Sequence, residues 1–209
     1  MKVLVIAPHP DDESIGCGGA VALHASKGDE VSAAFLTSGE LGLKQLAREQ
    51  AWKVREAEAR AAAKVLGLGR LSFFRGPDWM IGDDLPGMAA KLSPVLKGFA
   101  PELIYLPHPN EWHPDHRASL PILRLALTEA GVPSPKLFGY EIWTPLAEYQ
   151  HVEDITAVMP RKLRAVRKHV SQMKEWDYVR AIRALNEYRG AMAGRCRYGE
   201  VFQELLPVG

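Results

Sequence analysis

Two short polar stretches hold the residues of this chain best placed to do chemistry together. The first, His9-Pro10-Asp11-Asp12-Glu13, sets an imidazole beside a run of carboxylates. The second, His113-Pro114-Asp115-His116, places two imidazoles at i and i+3, which lets both reach one centre if a helical turn begins there. Two histidines and one carboxylate, with a position left for water, form a catalytic zinc arrangement. The same donors also suit non-haem Fe(II). Asp11 and Asp12 offer more carboxylates than such a set needs, so the two stretches together look like a metal site with its own acid and base. A 2-His-1-carboxylate iron oxygenase and a non-catalytic metal-binding module are the other classes to weigh.

These stretches need elements that bring them face to face. Val3-Leu4-Val5-Ile6-Ala7 is a short, β-branched apolar run that ends on the first stretch, and a helix to about Ala25 follows it. Leu103-Ile104-Tyr105-Leu106 is a second apolar run leading to the other stretch, with a helix from about Pro114 to Ala130. Pro114 suits a first helical turn, where its missing N–H matters little. Further strands are expected at 30–36, 71–74, 137–143 and 151–155, and helices at 44–66, 88–99, 161–173 and 177–188, with Thr156 as a helix cap. Strand alternating with helix predicts right-handed βαβ units. The fold expected is one α/β domain over residues 1–209, a mostly parallel Rossmann-like sheet with helices on both faces. If strand 1 and the 103–106 strand are central neighbours, both polar stretches flank the switch point where such sheets bind ligands.

Plainer readings account for less. A turn with a helix cap uses Asp11 and Asp12 but leaves His9 unexplained. Gly16-Cys17-Gly18-Gly19 does not form G-x-G-x-x-G, and carboxylates at that helix start would repel a pyrophosphate.

With these residues in place, the sequence resembles the LmbE-like (PIG-L type) zinc-dependent deacetylases, which remove the acetyl group from N-acetylglucosamine-containing molecules. Ala7-Pro8-His9-Pro10-Asp11-Asp12-Glu13 matches their first motif and His113-Pro114-Asp115-His116 their second. Supporting likeness lies in Thr37-Ser38-Gly39-Glu40, in the 55–67 helix and in His169-Val170-Ser171-Gln172. The resemblance implies His9, Asp12 and His116 as zinc ligands, Asp11 as general base and His113 as acid or oxyanion stabiliser. It further implies that Asp115 holds His113 and that Arg55 lies in the substrate pocket. The chain departs from the family at Asp78-Trp79 and Trp112, where each tryptophan reads as rim packing or as a platform for a sugar ring. The expected substrate is a small amino-sugar conjugate and the expected cofactor Zn2+, with Fe2+ as the other divalent candidate. An amidase removing a larger acyl group from a glucosaminide is the alternative within the class.

Composition narrows the partners. Lys+Arg 26 against Asp+Glu 25 leaves a net +1, too weak a field to draw in nucleic acid. No apolar stretch reaches the ~18 residues of a membrane span, and two cysteines make no disulfide framework. The expectation is a cytoplasmic enzyme, its oligomeric state left open. His24, His151 and His169 read as structural or pocket-wall residues, His108 as a neighbour of the second stretch, and the basic helix 161–168 as a solvated face.

Overall fold

Val3–Ala7 is buried at every position, and a strand covered on both faces belongs inside a sheet. The computed structural model, which describes residues 1–206, places it there. Seven strands are formed among the described residues: β1 (Lys2–Ala7), β2 (Glu30–Thr37), β3 (Leu71–Gly76), β4 (Leu103–Pro107), β5 (Lys136–Tyr140), β6 (His151–Asp154) and β7 (Gly199–Leu205). Their spatial order is β3-β2-β1-β4-β5-β7-β6. The first five run parallel, whereas β7 is antiparallel to β5 and β6. Seven helices accompany them: α1 (Asp12–Gly16), α2 (Gly18–Ser26), α3 (Arg48–Leu66), α4 (Leu85–Phe99), α5 (Pro114–Ala130), α6 (Met159–Val166) and α7 (Tyr178–Arg189).

Alternation along β1 divides the core. Val3, Val5 and Ala7 face a cluster with α2 and α3 that includes Ala59, Ala62 and Leu66. Leu4 and Ile6 face the opposite cluster, built with α4 and α5 through Leu92, Leu96, Leu123 and Leu127. This is the layered α/β sheet expected. β1 pairs with β2 on one side and β4 on the other, so the strand order reverses between β1 and β4. Both polar stretches leave the sheet at that crevice.

Four local expectations give way to tertiary packing. The first helix is broken at Cys17 into α1 and α2. A Cβ on Gly16 would collide with the Tyr140 ring, so glycine there lets α1 lie directly against β5. The 161–173 helix stops at Val166, and beyond it Ser171 bonds Glu58 through both backbone and hydroxyl. Val158 rather than Thr156 precedes α6, and the Thr156 hydroxyl instead accepts the Tyr198 N–H. The basic helix is not simply solvated. Lys162 is fully buried and donates to Glu200 (2.6 Å) and Asn186 (2.9 Å). Glu200 belongs to β7, a strand the sequence reading does not include.

Candidate active site

The turn after β1 folds back on itself. The Asp12 N–H donates to the His9 carbonyl, and the His9 N–H donates to Asp12 Oδ2 (2.9 Å). Across the crevice, His113 precedes α5 as its N-cap and His116 lies in its first turn. His9 Nδ1, Asp12 Oδ2 and His116 Nε2 come together, each pair 3.3 Å apart. A tetrahedral ion with bonds of 2.0–2.1 Å separates its ligands by about 3.3 Å, so these three atoms fit a first-row divalent metal.

The other imidazole nitrogens are turned away from that centre. His9 Nε2 lies 3.1 Å from Asp78 Oδ1 and 3.2 Å from Asp115 Oδ2. A proton shared there leaves the Nδ1 lone pair free. His116 Nδ1 is buried without a hydrogen bond, with Glu111 Oε2 3.5 Å away. Carboxylates behind ligand histidines are the usual way to fix their tautomer and raise their basicity. Burial alone would lower both histidines. Instead, hydrogen bonds to Asp115, Asp12 and Asp78 hold His9 well above its ordinary value, and Asp12 and Glu111 raise His116. Burial would raise Asp12, but His116 and His9 pull it far down.

A nitrogen of His113 also approaches His9 and His116, within 4.8 Å. His113 differs from them in its bonding, since its Nδ1 accepts the Asp115 backbone N–H (3.2 Å). The expected carboxylate contact from Asp115 to His113 is not formed. Asp115 points under His9 and accepts the N–H of Trp79 (2.8 Å) and Ile81 (3.3 Å). From the first turn of α5 its fully buried side chain reaches the β3–α4 loop, not its own N-cap. Burial, His9 and His116 push His113 down to about 4. At neutral pH its imidazole is neutral, with Nδ1 accepting and the proton on Nε2.

Asp11 has φ 142°, a strained value for a side-chain-bearing residue. Glu13 Oε2 accepts its backbone N–H (3.0 Å). Its own Oδ2 accepts from Arg55 Nη2 (3.1 Å). Burial raises Asp11 to about 6, with Arg55 opposing and Asp12 adding to the rise. The carboxyl is therefore mostly ionised at neutral pH yet basic enough to take a proton. Arg55 borders the cleft, but its guanidinium is tied to Asp11, the Pro10 carbonyl (2.7 Å) and the Gly39 carbonyl (2.8 Å). Gly39 has φ 61°, and a Cβ on it would strike that guanidinium.

The centre opens into a cleft of about 770 Å³ lined by His9, Asp11, Asp12 and His113. Trp79 and Trp112 stand on its rim, 46% and 60% exposed, with ring centroids 5.8 Å apart and perpendicular planes. Trp79 also lies 4.4 Å from the His113 ring. Both present large apolar faces to water at the mouth of the cleft.

Sequence reasoning misses Glu111, which is fully buried and also accepts the backbone N–H of Ile142 (2.7 Å) and Thr144 (3.2 Å). It takes Asp78 only as a loop residue and does not connect Glu13 with His169, 3.1 Å apart. Glu13 does adjoin the first motif, which is the one available signal. His24 and His151 are paired with Asp29 and Glu153, and His108 with the Thr144 carbonyl, in keeping with supporting roles.

A diacetylchitobiose deacetylase of Thermococcus kodakarensis is 31% identical, over 95% of this chain and 81% of that protein. Among solved structures, the conserved protein TT1542 from Thermus thermophilus superposes with a TM-score of 0.85 at 31% identity, covering 99% of this chain and 96% of the other. The N,N'-diacetylchitobiose deacetylase from Pyrococcus horikoshii, complexed with its inhibitor MPG, superposes with a TM-score of 0.84 at 26% identity, covering 98% and 83%. Residues 4–127, which include both polar stretches, match the family PIG-L: GlcNAc-PI de-N-acetylase, and the chain belongs to it.

Proposed function

We propose that this protein is a zinc-dependent deacetylase that hydrolyses the acetamide of a small N-acetylglucosaminyl conjugate. The observation that carries the reading is the 3.3 Å triangle of His9 Nδ1, Asp12 Oδ2 and His116 Nε2, with the Asp11 carboxylate beside it on the cleft wall. The alternating α/β sheet weighs against an iron oxygenase, a class usually built on β-rich barrels. A bound zinc ion would acidify water toward pKa ~7 and polarise the amide carbonyl. Asp11, aimed by Arg55, accepts a proton from the attacking water. His113 donates its Nε2–H to the oxygen that gains charge as the carbonyl carbon becomes tetrahedral. The proton held by Asp11 then passes to the departing amine as the C–N bond breaks, giving acetate and a free glucosaminyl amine. A carboxyl poised near 6 can perform both transfers. Arg55 acts as a positioning residue for Asp11 and as part of the pocket wall, while Trp79 and Trp112 stack on the sugar.

The test is acetate release from N-acetylglucosamine and N,N'-diacetylchitobiose by zinc-loaded protein, with metal content measured on the same sample. Asp11→Asn should keep its metal and lose at least ~10²-fold in rate. A fully metallated wild-type protein that releases no acetate from any N-acetylglucosaminide would overturn the reading. So would an Asp11→Asn enzyme with wild-type turnover.

A further inference from the structure

A second, smaller cavity of about 200 Å³ adjoins the catalytic cleft. Ile15, Ile142, Trp143, Trp176 and Tyr178 line both spaces, so the two share an aromatic and aliphatic wall. Neither the three candidate metal ligands nor Asp11 nor His113 borders the smaller one among the described residues. Its deeper surface is Ile182 and Leu185 of α7 with Val201 of β7.

Four polar side chains besides the aromatic ones also reach this cavity, and each already makes hydrogen bonds within the protein. Glu141 accepts from Arg189 (3.0 and 2.7 Å) and from the Leu146 N–H (2.7 Å). Glu200 accepts from Lys162 and from the N–H groups of Gly19 and Ala20, both at 2.8 Å. Asn186 accepts from Lys162 and donates to the Gly199 carbonyl (3.0 Å). Asp177 accepts the Arg180 N–H at the start of α7 (3.0 Å). The buried carboxylates and the amide that face the cavity are thus engaged already, and an apolar group that enters against the aliphatic and aromatic wall gains by leaving water. Apolar cavities of about 150 Å³ take up a benzene-sized molecule.

We propose that this side pocket is the aglycone subsite, selecting an N-acetylglucosaminide whose aglycone is a compact apolar group of about one six-membered ring. The inference rests on the deacetylase reading above and adds the class of substrate. The aglycone is favoured over the acyl group because the reacting amide must meet Asp11 and His113. The side pocket is instead reached past Trp143 and Trp176, which are 43% and 63% exposed at the rim.

The experiment compares kcat/KM for phenyl and cyclohexyl N-acetyl-β-glucosaminides, N-acetylglucosamine, a carboxyalkyl N-acetylglucosaminide and N-hexanoylglucosamine, with metal content matched. The phenyl and cyclohexyl compounds should exceed N-acetylglucosamine by about 10- to 100-fold, the scale of an apolar group entering a hydrophobic pocket. Ala181→Phe adds a ring at a solvent-exposed position on the pocket wall and should collapse the phenyl to N-acetylglucosamine ratio toward unity. Phenyl glucosaminide, the deacetylated product, should correspondingly inhibit wild type more tightly than glucosamine does. Equal rates across the panel, a best rate with N-hexanoylglucosamine or the carboxyalkyl compound, or a ratio unmoved by Ala181→Phe would each overturn the subsite and leave the deacetylase reading standing. Metallated protein that releases acid from no compound would overturn that reading and this proposal with it.

Discussion

Two knots of buried charge lie close together in this fold, one at the start of α1 and one at the start of α2. In the second, Lys162 donates to both Glu200 and Asn186, which in turn bond the backbone of Gly19, Ala20 and Gly199. Its principal contacts are protein to protein, and the knot ties α2, α6, α7 and β7 together. The first knot, around His9, Asp12 and His116, has comparable burial but is left incomplete. His116 Nδ1 has no hydrogen bond, Asp11 is pushed up to about 6, and His113 down to about 4. Buried charge whose partners are complete serves architecture. Groups forced toward opposite protonation states at the wall of a cleft are poised for reaction.

The sharpest way to break this contrast is to remove one member of each knot. His116→Ala should abolish tight metal binding, while His113→Ala should retain most of it, as measured by metal content after dialysis. Equal loss would move His113 into the ligand set. Glu200→Ala should leave the Lys162 ammonium buried and unpaired, costing about 3–5 kcal/mol in denaturant unfolding. Replacing both partners with apolar residues (Lys162→Met with Glu200→Leu) should recover part of that loss. A cost below ~1 kcal/mol, the level of an exposed ion pair, would show that the second knot is not structural.

Smaller effects refine the first knot. Glu111→Gln should weaken metal affinity by about 10- to 100-fold through the orientation of His116, checked by competition with a chelator. A further signal is in pH. In metal-free protein Asp11 titrates near 6 when folded, against an ordinary value of 3.8. Between those values the folded state keeps a proton that the unfolded chain has released, so this group's contribution to stability falls as pH rises through the window. His113 shifts the other way but titrates in both proteins. The stability of wild type minus that of Asp11→Asn, measured by denaturation after chelation, should therefore decline from pH 4 to pH 7. A flat difference would mean that Asp11 is not desolvated as its burial implies.

Much of the frame is legible in the chain because it rests on local signals. The apolar runs at 3–7 and 103–106 are short and lead to helix starts, and their adjacency, a condition in the sequence reading, is supplied by the β1–β4 pairing. What escapes reading depends on distant partners. Lys162 looks like one cation among several on a basic helix, and only Glu200, a strand away, explains its burial. Glu200 in turn disguises β7, because a carboxylate at an inward position spoils the apolar pattern of Gly199–Leu205. Glu111 and Asp78 lie in loops whose spacing says nothing of the histidines they approach. Asp115 stands out within its motif, but its direction is not legible there. Residue spacing places a side chain on a turn, while packing decides which neighbour it meets.

The position of β7 also has a consequence for the order of events during folding. β6 pairs with no strand but β7 among the described residues, although β7 follows it only after two helices. Until β7 inserts beside β5, β6 has no sheet to join, Lys162 has no counter-charge, and Val201 is missing from the side pocket. These pairings span 45 to 68 residues, less than the 100 residues between Val3 and Leu103 across β1–β4, so loop entropy alone does not delay them. During synthesis, however, β7 is the last of the described strands to be made, so the residues of the β1–β4 crevice are complete before the surface that would recognise an aglycone.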